Sequence, residues 1–299
     1  MRAWYGLLAG TTLALSLLVA GCSPAVREAG TPPGDQAPLR VGLIPNVAPE
    51  DQKAKYEPLR VYLEETLDRP VELFVATNYT GVVQAMVSGQ LDLAYFGGVT
   101  YAQALEQVAL EPIVTEIDAE TGTEQYYSLI ITGTDSGINS LDELAGRTFA
   151  FGDPASTSGS LYPRKMLAGA GYDWQQDFAP IADVVYTGGH DATAKAVENG
   201  TVDAGGIEGR ILARMVKDGV VDGSQIRVID KTLAPGYPWC VPSAMDASLK
   251  AELTHAFLGI EDPMLLDLLR AKRYVAVTGD DYADLRSDAR ALGLIKEKK

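Results

Sequence analysis

Strand-like and helix-like segments alternate along this chain in two separate series, and that order restricts the fold more than any other feature. LRVGLIP (39–45) is an apolar run bounded by Pro45 and Asn46. DQKAKYEPLRVYLEETL (51–67) carries Tyr56, Leu59, Leu63 and Leu67 at spacings of three and four, the apolar face of a helix. VELFVA (71–76) reads as a strand, a helix with Val82, Val83, Met86 and Val87 follows, then a strand LDLAYF (91–96) and a helix over 99–108. Turn residues crowd into DAETGTEQ (118–125), and YYSLIITG from Tyr126 reads as a long strand. The second series runs through TFAF (148–151), a helix from about Gly159, DVVYT (183–187), a helix from Asp191, VDAGGI (202–207), a helix through Leu212, and IRVID (226–230). APGYPWCVP (234–242), with three prolines in nine residues, reads as a returning strand, and the segment from Ala247 as mostly helical.

Each βαβ series implies a mainly parallel sheet flanked by helices on both faces. The expected fold class is therefore α/β with two lobes, lobe 1 from residues 39–125 and 238–299 and lobe 2 from 126–237. Two strands would cross between the lobes, making a clamshell with its binding site in the cleft. The body of about 260 residues is long for one core and suits such a division.

The N-terminus reads as an export signal. Residues 1–21 hold a single cation, Arg2, then an apolar stretch from Leu7 to Ala20, too short for a membrane-spanning helix. The ending Val19-Ala20-Gly21-Cys22 resembles a bacterial lipobox, which makes Cys22 the expected lipid-bearing N-terminus at the periplasmic face of the membrane. REAGTPPGDQAP (27–38) lies in an expected flexible tether over 22–38. Only Cys240 remains beyond it, so the body has no internal disulfide. Loss of Arg2 with the signal takes the formal charge from -15 to -16. That acidity argues against nucleic acid as a partner and requires local dipoles to hold any anion.

FGDPASTSGS (151–160) sets Ser156, Thr157 and Ser158 in a row where a strand gives way to a helix. One reading is helix capping, for which a single hydroxyl suffices. The other is an oxyanion socket, with rotatable donors beside the unpaired N–H groups and positive end of the helix. Tyr79 and Tyr126 are half-buried packing residues or cleft residues. His190 precedes a good cap, Asp191, and Glu208 opens a helix, where a carboxylate complements the dipole.

Six ordered segments, VGLIPN (41–46), NYTGVV (78–83), LAYFGG (93–98), DPASTSG (153–159), GGHDA (188–192) and PGYP (235–238), resemble the phosphonate, phosphite and phosphate binding proteins of ABC importers over residues 38–299. The resemblance implies a type II periplasmic-binding-protein fold, a monomeric receptor that delivers a small phosphorus oxyanion to a membrane permease and its ATPase, and no cofactor. It assigns Ser156, Thr157 and Ser158 to the phosphorus-bound oxygens, Tyr79 and Tyr126 to ligand contact, His190 to the oxyanion site and Glu208 to a protonated ligand oxygen. Where family members that take aminoethylphosphonate usually have aspartate, this chain has Tyr237. A phenol does not neutralise a buried ammonium. Tyr237 and Trp239 instead suggest a small aromatic wall suited to phosphite or methylphosphonate, with phosphate held weakly. Another small anion, such as a sulfonate or nitrate, is the alternative within the fold.

A serine-type enzyme is the competing class. No G-x-S-x-G elbow surrounds Ser158, no phosphate-binding GxxxxGK[ST] loop occurs, and no Cys/His cluster is spaced for a metal. The sequence holds two histidines, and neither is placed as a base for a serine. The expectation is a binding protein without catalytic or metal-ligating residues.

Overall fold

A computed structural model describes residues 37–295 of the chain. The export signal, Cys22 and most of the tether lie outside the described residues. The first series comprises β1 (Leu39–Leu43), α1 (Pro49–Lys55), α2 (Glu57–Leu67), β2 (Val71–Val75), α3 (Tyr79–Val87), β3 (Leu93–Tyr95), α4 (Gly98–Leu105) and β4 (Leu110–Asp118). The second comprises β5 (Gln125–Gly133), β6 (Thr148–Phe151), α5 (Tyr162–Gly169), β7 (Asp183–Tyr186), α6 (His190–Glu198), β8 (Ala204–Glu208), α7 (Gly209–Lys217) and β9 (Ile226–Pro235). The chain ends with β10 (Trp239–Pro242), α8 (Ala247–Leu258), α9 (Pro263–Leu268), β11 (Ala271–Ala276) and α10 (Ala283–Ala291).

Local chemistry sets several of these boundaries. Asn78 caps α3 by accepting from the Gly81 N–H at 2.8 Å. Asp246 caps α8 in the same way, accepting from Ser248 and Leu249. Pro49 stands in the first turn of α1, where its missing N–H costs nothing.

Two sheets result, ordered β11-β4-β10-β3-β1-β2 and β7-β6-β8-β5-β9. Both are mixed, which corrects the mainly parallel expectation. β1 pairs in parallel with β2 and β3, and β6 with β7 and β8, as the βαβ order requires. The remaining pairings, β10 with β3 and β4, β11 with β4, and β5 with β8 and β9, are antiparallel. Antiparallel neighbours need no crossover helix, so their pairing leaves no signature in local periodicity. For the same reason β4 and β11 are absent from the sequence reading: each pairs with strands distant in the chain.

Side chains of β5 alternate between the two faces of the second sheet. Leu129 and Ile131 join the core under α6 and α7, and Ile130 joins the core under α5. The core of the first sheet gathers β1, α2, α3, α4, α8 and α10 around buried apolar side chains such as Val41, Leu43, Leu59, Val83 and Leu285. The parallel register brings the carboxyl ends of β1, β2 and β3 level, Leu43 lying beside both Val75 and Tyr95. Phe151 lies beside Tyr186 at the corresponding end of the second sheet. The strand ends at this edge of each sheet, and the loops leaving them, carry every candidate ligand residue except Tyr126 and Tyr237, in keeping with the rule that open α/β sheets bind ligands there.

One glycine is sterically required on β8. A Cβ on Gly206 would lie 2.4 Å from Pro163 Cγ, 2.8 Å from Pro163 Cβ and 3.3 Å from the Gly159 carbonyl oxygen. The proline ring has little room to yield, so Gly206→Ala is expected to destabilise the protein by about 1–3 kcal/mol, the usual cost of overpacking. Chemical denaturation of the variant checks this, and an unchanged unfolding midpoint would contradict it.

Candidate functional site

The hydroxyl run lies on a widened turn. The Leu161 N–H donates to the Ser156 carbonyl at 3.0 Å, an i to i+5 bond, and Thr157–Leu161 form one π-type turn ahead of α5. Ser156 Oγ accepts from the Gly159 N–H at 3.0 Å, which is the capping role. Thr157 Oγ1 accepts from the Val99 N–H at 3.1 Å, at the start of α4 beside the other sheet. Ser158 Oγ is buried and has no hydrogen-bond partner among the described residues. An acceptor role leaves the Ser156 and Thr157 protons available, so all three hydroxyls can still donate. Gly159 is needed beside them, since a Cβ there would lie 2.9 Å from Ser156 Oγ and 3.0 Å from His190 Cε1.

Side chains from both sheets close around this turn. Asp153 accepts from the Ala155 N–H at 2.7 Å and from the Tyr79 N–H at 3.2 Å, tying the loop to the start of α3. The Tyr79 hydroxyl donates to Asn46 Oδ1 at 2.7 Å, and the His190 N–H donates to the Asn46 carbonyl at 3.1 Å. Ser128 on β5 pairs with Glu208 on β8 and donates to the Ser158 carbonyl at 2.9 Å. Tyr126, two residues earlier on β5, has a buried hydroxyl without a partner among the described residues. Burial, with Glu208 nearby, pushes its phenol pKa well up, so it stays protonated.

The histidine is neutral by construction. Its Nδ1 accepts from the Glu208 N–H at 3.3 Å, which places the imidazole proton on Nε2, and Nε2 has no partner among the described residues. Burial brings the His190 pKa down from 6.5 to about 4, even though Glu208 pulls it up. His190 therefore offers the cleft one N–H donor and no charge.

Glu208 is fully buried. Burial raises its pKa, but Arg210 and Arg270 outweigh that and hold the carboxyl below its usual range. Its Oε1 accepts from Arg210 Nε and lies 4.0 Å from Arg270 Nε, and its Oε2 has no partner among the described residues. Arg210 continues across the cleft to Glu116 at 2.8 Å and Asp118 at 3.5 Å, both on β4.

Tyr237 lies between two other phenols. Its ring centroid is 5.1 Å from Tyr95, near-parallel at 16°, and 5.2 Å from Tyr126. The Arg210 guanidinium lies over the Tyr126 and Tyr237 rings at 4.4 and 5.4 Å. Trp239 departs from the expected wall: it is buried in the core at 4.6 Å from Phe257, and Tyr95 and Tyr126 flank Tyr237 instead.

The structure thus gathers Tyr126, Ser158, His190 and Glu208 as residues with unpartnered buried polar atoms, and gives Tyr79, Ser156 and Thr157 protein partners as well. Asn46, Asp153, Glu116, Arg210 and Arg270 were not singled out from sequence. Asn46 and Asp153 lie inside motifs already noted, VGLIPN and DPASTSG. Arg210 stands two residues after Glu208 with no pattern to mark it, and Arg270 follows α9 with none either.

Because the unfolded histidine takes up its proton near pH 6.5 and the folded one only near 4, acidification favours the unfolded chain between those values. Above pH 6.5 both states are neutral and the contribution is constant. The stability difference between the native protein and His190→Gln is expected to change by up to about 1.4 kcal/mol per pH unit within that window, the native protein losing more as pH falls. Urea unfolding across the window measures it, and a pH-independent difference would show that His190 is not held neutral.

Residues 41–282 match the family model of the ABC transporter, phosphonate, periplasmic substrate-binding protein. The phosphate-import protein of Mycolicibacterium smegmatis is 32% identical over 232 residues, which cover 75% of this chain and 72% of that one. A probable ABC transporter phosphite binding protein of Prochlorococcus marinus is 24% identical over 276 residues, 86% of this chain and 91% of the other. A solved structure from Prochlorococcus marinus in complex with methylphosphonate superposes with a TM-score of 0.79 at 25% identity, covering 86% of this chain and 98% of that one. The relatives are transport binding proteins and not enzymes, and no described helix is long and apolar enough to cross a membrane. With most of its length matched, the chain belongs to the family of periplasmic phosphonate-binding proteins of ABC transporters.

Proposed function

We propose that the protein captures a small phosphorus oxyanion, phosphite or methylphosphonate, between two lobes and hands it to an ABC permease and its ATPase. One observation carries this reading: the buried atoms Ser158 Oγ, Tyr126 Oη, His190 Nε2 and Glu208 Oε2 lack partners among the described residues at the junction of the two sheets. Buried polar atoms are nearly always paired, so such a group calls for a ligand that completes it. Three of these atoms can donate, and Ser156 and Thr157 add two more hydroxyl protons. Glu208, held ionised, can only accept. A singly protonated tetrahedral oxyanion matches that set, its bare oxygens taking the donors and its P–OH donating to Glu208.

Selectivity is read from Tyr237. Packed between Tyr95 and Tyr126, it offers an uncharged aromatic face where an aspartate would receive an ammonium group. Hydrogen or methyl on phosphorus suits that face, whereas phosphate would bring a hydroxyl to it. The relatives agree on a phosphorus oxyanion and differ in its fourth substituent, being named for phosphate import and phosphite binding or solved with methylphosphonate. The protein acts as a monomer, with lobe 1 over 39–125 and 238–299, lobe 2 over 126–237, and a lipid on Cys22 keeping it at the membrane.

Calorimetric titration of the purified protein is expected to show binding of phosphite and methylphosphonate, weaker binding of phosphate, and rejection of sulfate, which has no proton for Glu208. Binding of sulfate, a sulfonate or nitrate in place of the phosphorus ligands would overturn the reading. Ser158→Ala removes one donor to a charged ligand, for about 1.5–3 kcal/mol or roughly tenfold to a hundredfold in affinity. Its stability without ligand should stay the same or rise, since an unpaired buried hydroxyl is lost. Normal affinity with early melting would mark the run as purely structural.

Tyr237→Asp should weaken methylphosphonate, because it sets a carboxylate near an anion in a dry cleft. The same change should improve aminoethylphosphonate relative to methylphosphonate. An unchanged ratio in parallel titrations would place Tyr237 away from the ligand.

A further inference from the structure

Beside the phosphorus socket lies a cavity of about 200 Å³, walled by α1 and the start of α2 on one side and by α6, α7 and α9 on the other. Asn46, Gln52, Tyr56 and Arg270 all line it. Each of these four carries a buried atom with no hydrogen-bond partner among the described residues: Asn46 Nδ2, Gln52 Nε2, Tyr56 Oη and Arg270 Nε. Asn46, Gln52 and Tyr56 are at most 3% exposed, and the Arg270 side chain is 15% exposed. All four atoms are able to donate, and three of them can do nothing else.

The surroundings agree with an occupant rich in acceptors. Arg270 adopts φ 58° just past the end of α9, the left-handed conformation common at that position. From there its Nη2 donates to the Tyr95 hydroxyl at 3.2 Å, while its Nε lies 4.0 Å from Glu208 Oε1. Asp51, Asp191 and Asp218 also line the cavity, with Lys55, Arg214 and Arg270. Asp191 is also turned to its own task, accepting from the Ala48 N–H at 3.3 Å. An acceptor-rich group entering here meets the donors of Asn46, Gln52 and Tyr56. A cation or an apolar group would leave those donors unpaired.

We infer that this cavity is a second subsite of the cleft, one that takes a carboxylate or similar small oxyanion next to the phosphorus group. The inference rests on the reading given under Proposed function. It joins the socket through Asn46, which accepts from Tyr79, and through Arg270, which faces Glu208. The oxyanion has two possible sources with the same chemistry, the tail of a carboxyalkylphosphonate or a free anion that enters with a smaller ligand.

Calorimetric titration separates them. The native protein is titrated with methylphosphonate, phosphonoformate, phosphonoacetate and phosphonopropionate, and with methylphosphonate again in excess formate. A tail in the subsite makes at least one carboxyphosphonate bind about tenfold tighter than methylphosphonate, the scale of one or two charge-assisted hydrogen bonds. A free anion instead leaves the carboxyphosphonates without that gain and makes formate strengthen methylphosphonate binding. Either effect should shrink about threefold or more in both Gln52→Leu and Tyr56→Phe, each of which removes one donor, with methylphosphonate alone unchanged. If methylphosphonate binds and no carboxylate has any effect, the cavity holds only water and the inference falls while the parent reading stands. An effect that persists undiminished in both variants also overturns it. Failure of every phosphorus ligand, methylphosphonate included, overturns the parent reading and the inference together.

Discussion

Arg210 holds the cleft together. Its guanidinium, 6% exposed, is shared between Glu208 at the end of β8 and Glu116 and Asp118 on β4 of the other sheet. Taking these charges out of water is expensive, and the cost is offset only because several opposite charges and hydrogen bonds meet at one group. Removing any member would strand a buried charge, so the cluster acts as a unit. Three carboxylates against Arg210 and Arg270 leave one excess negative charge in a region expected to receive an anion. The arginines therefore serve first to keep Glu208 ionised and in place. In the proposed reading, anion affinity then rests on neutral donors, namely the hydroxyls, the Tyr126 phenol and the His190 N–H.

That division has a chemical consequence. Neutral donors with one fixed acceptor discriminate by the ligand's protons, whereas a lysine or free arginine would attract any anion. His190 fits this scheme because its neutrality follows from burial, and its tautomer from the Glu208 N–H. The hydroxyl run shows the same economy. Ser156 stabilises the turn, Thr157 bonds to the start of α4 across the cleft, and Ser158 faces inward unpaired. Capping and anion binding are alternatives when the sequence is read alone; here Ser156 takes the capping role, which leaves Ser158 free for the proposed ligand.

Closure of the two sheets is written into the same contacts. Asp153 with the Tyr79 N–H, the His190 N–H with the Asn46 carbonyl, and Thr157 with the Val99 N–H each pair a loop of one sheet with a loop of the other. All three involve backbone groups at helix starts, where unpaired N–H donors are available. The candidate site and the closing surface are thus built from the same loops, so a ligand in the proposed socket would add to the contact between the sheets.

Much of this was legible in the order of residues. Apolar spacing in 51–67, β-branched runs such as VELFVA, and the glycine and hydroxyl signals of DPASTSG act over a few residues, and a chain read locally displays them. The βαβ alternation set the parallel half of each sheet for the same reason. The antiparallel pairings of β4, β10 and β11 were decided elsewhere, because their partners are chosen by the packing of distant segments. Likewise, no local pattern marks Arg210 or Arg270, or says that Trp239 turns into the core while Tyr237 stacks in the cleft. Sequence by itself determined the elements, the hydroxyl run and the single cysteine of the body. Tertiary structure alone decided which hydroxyl is left unpaired, which charges are buried together and where the donors converge, since Glu116 meets Arg210 and Asn46 meets His190 only after both sheets have formed.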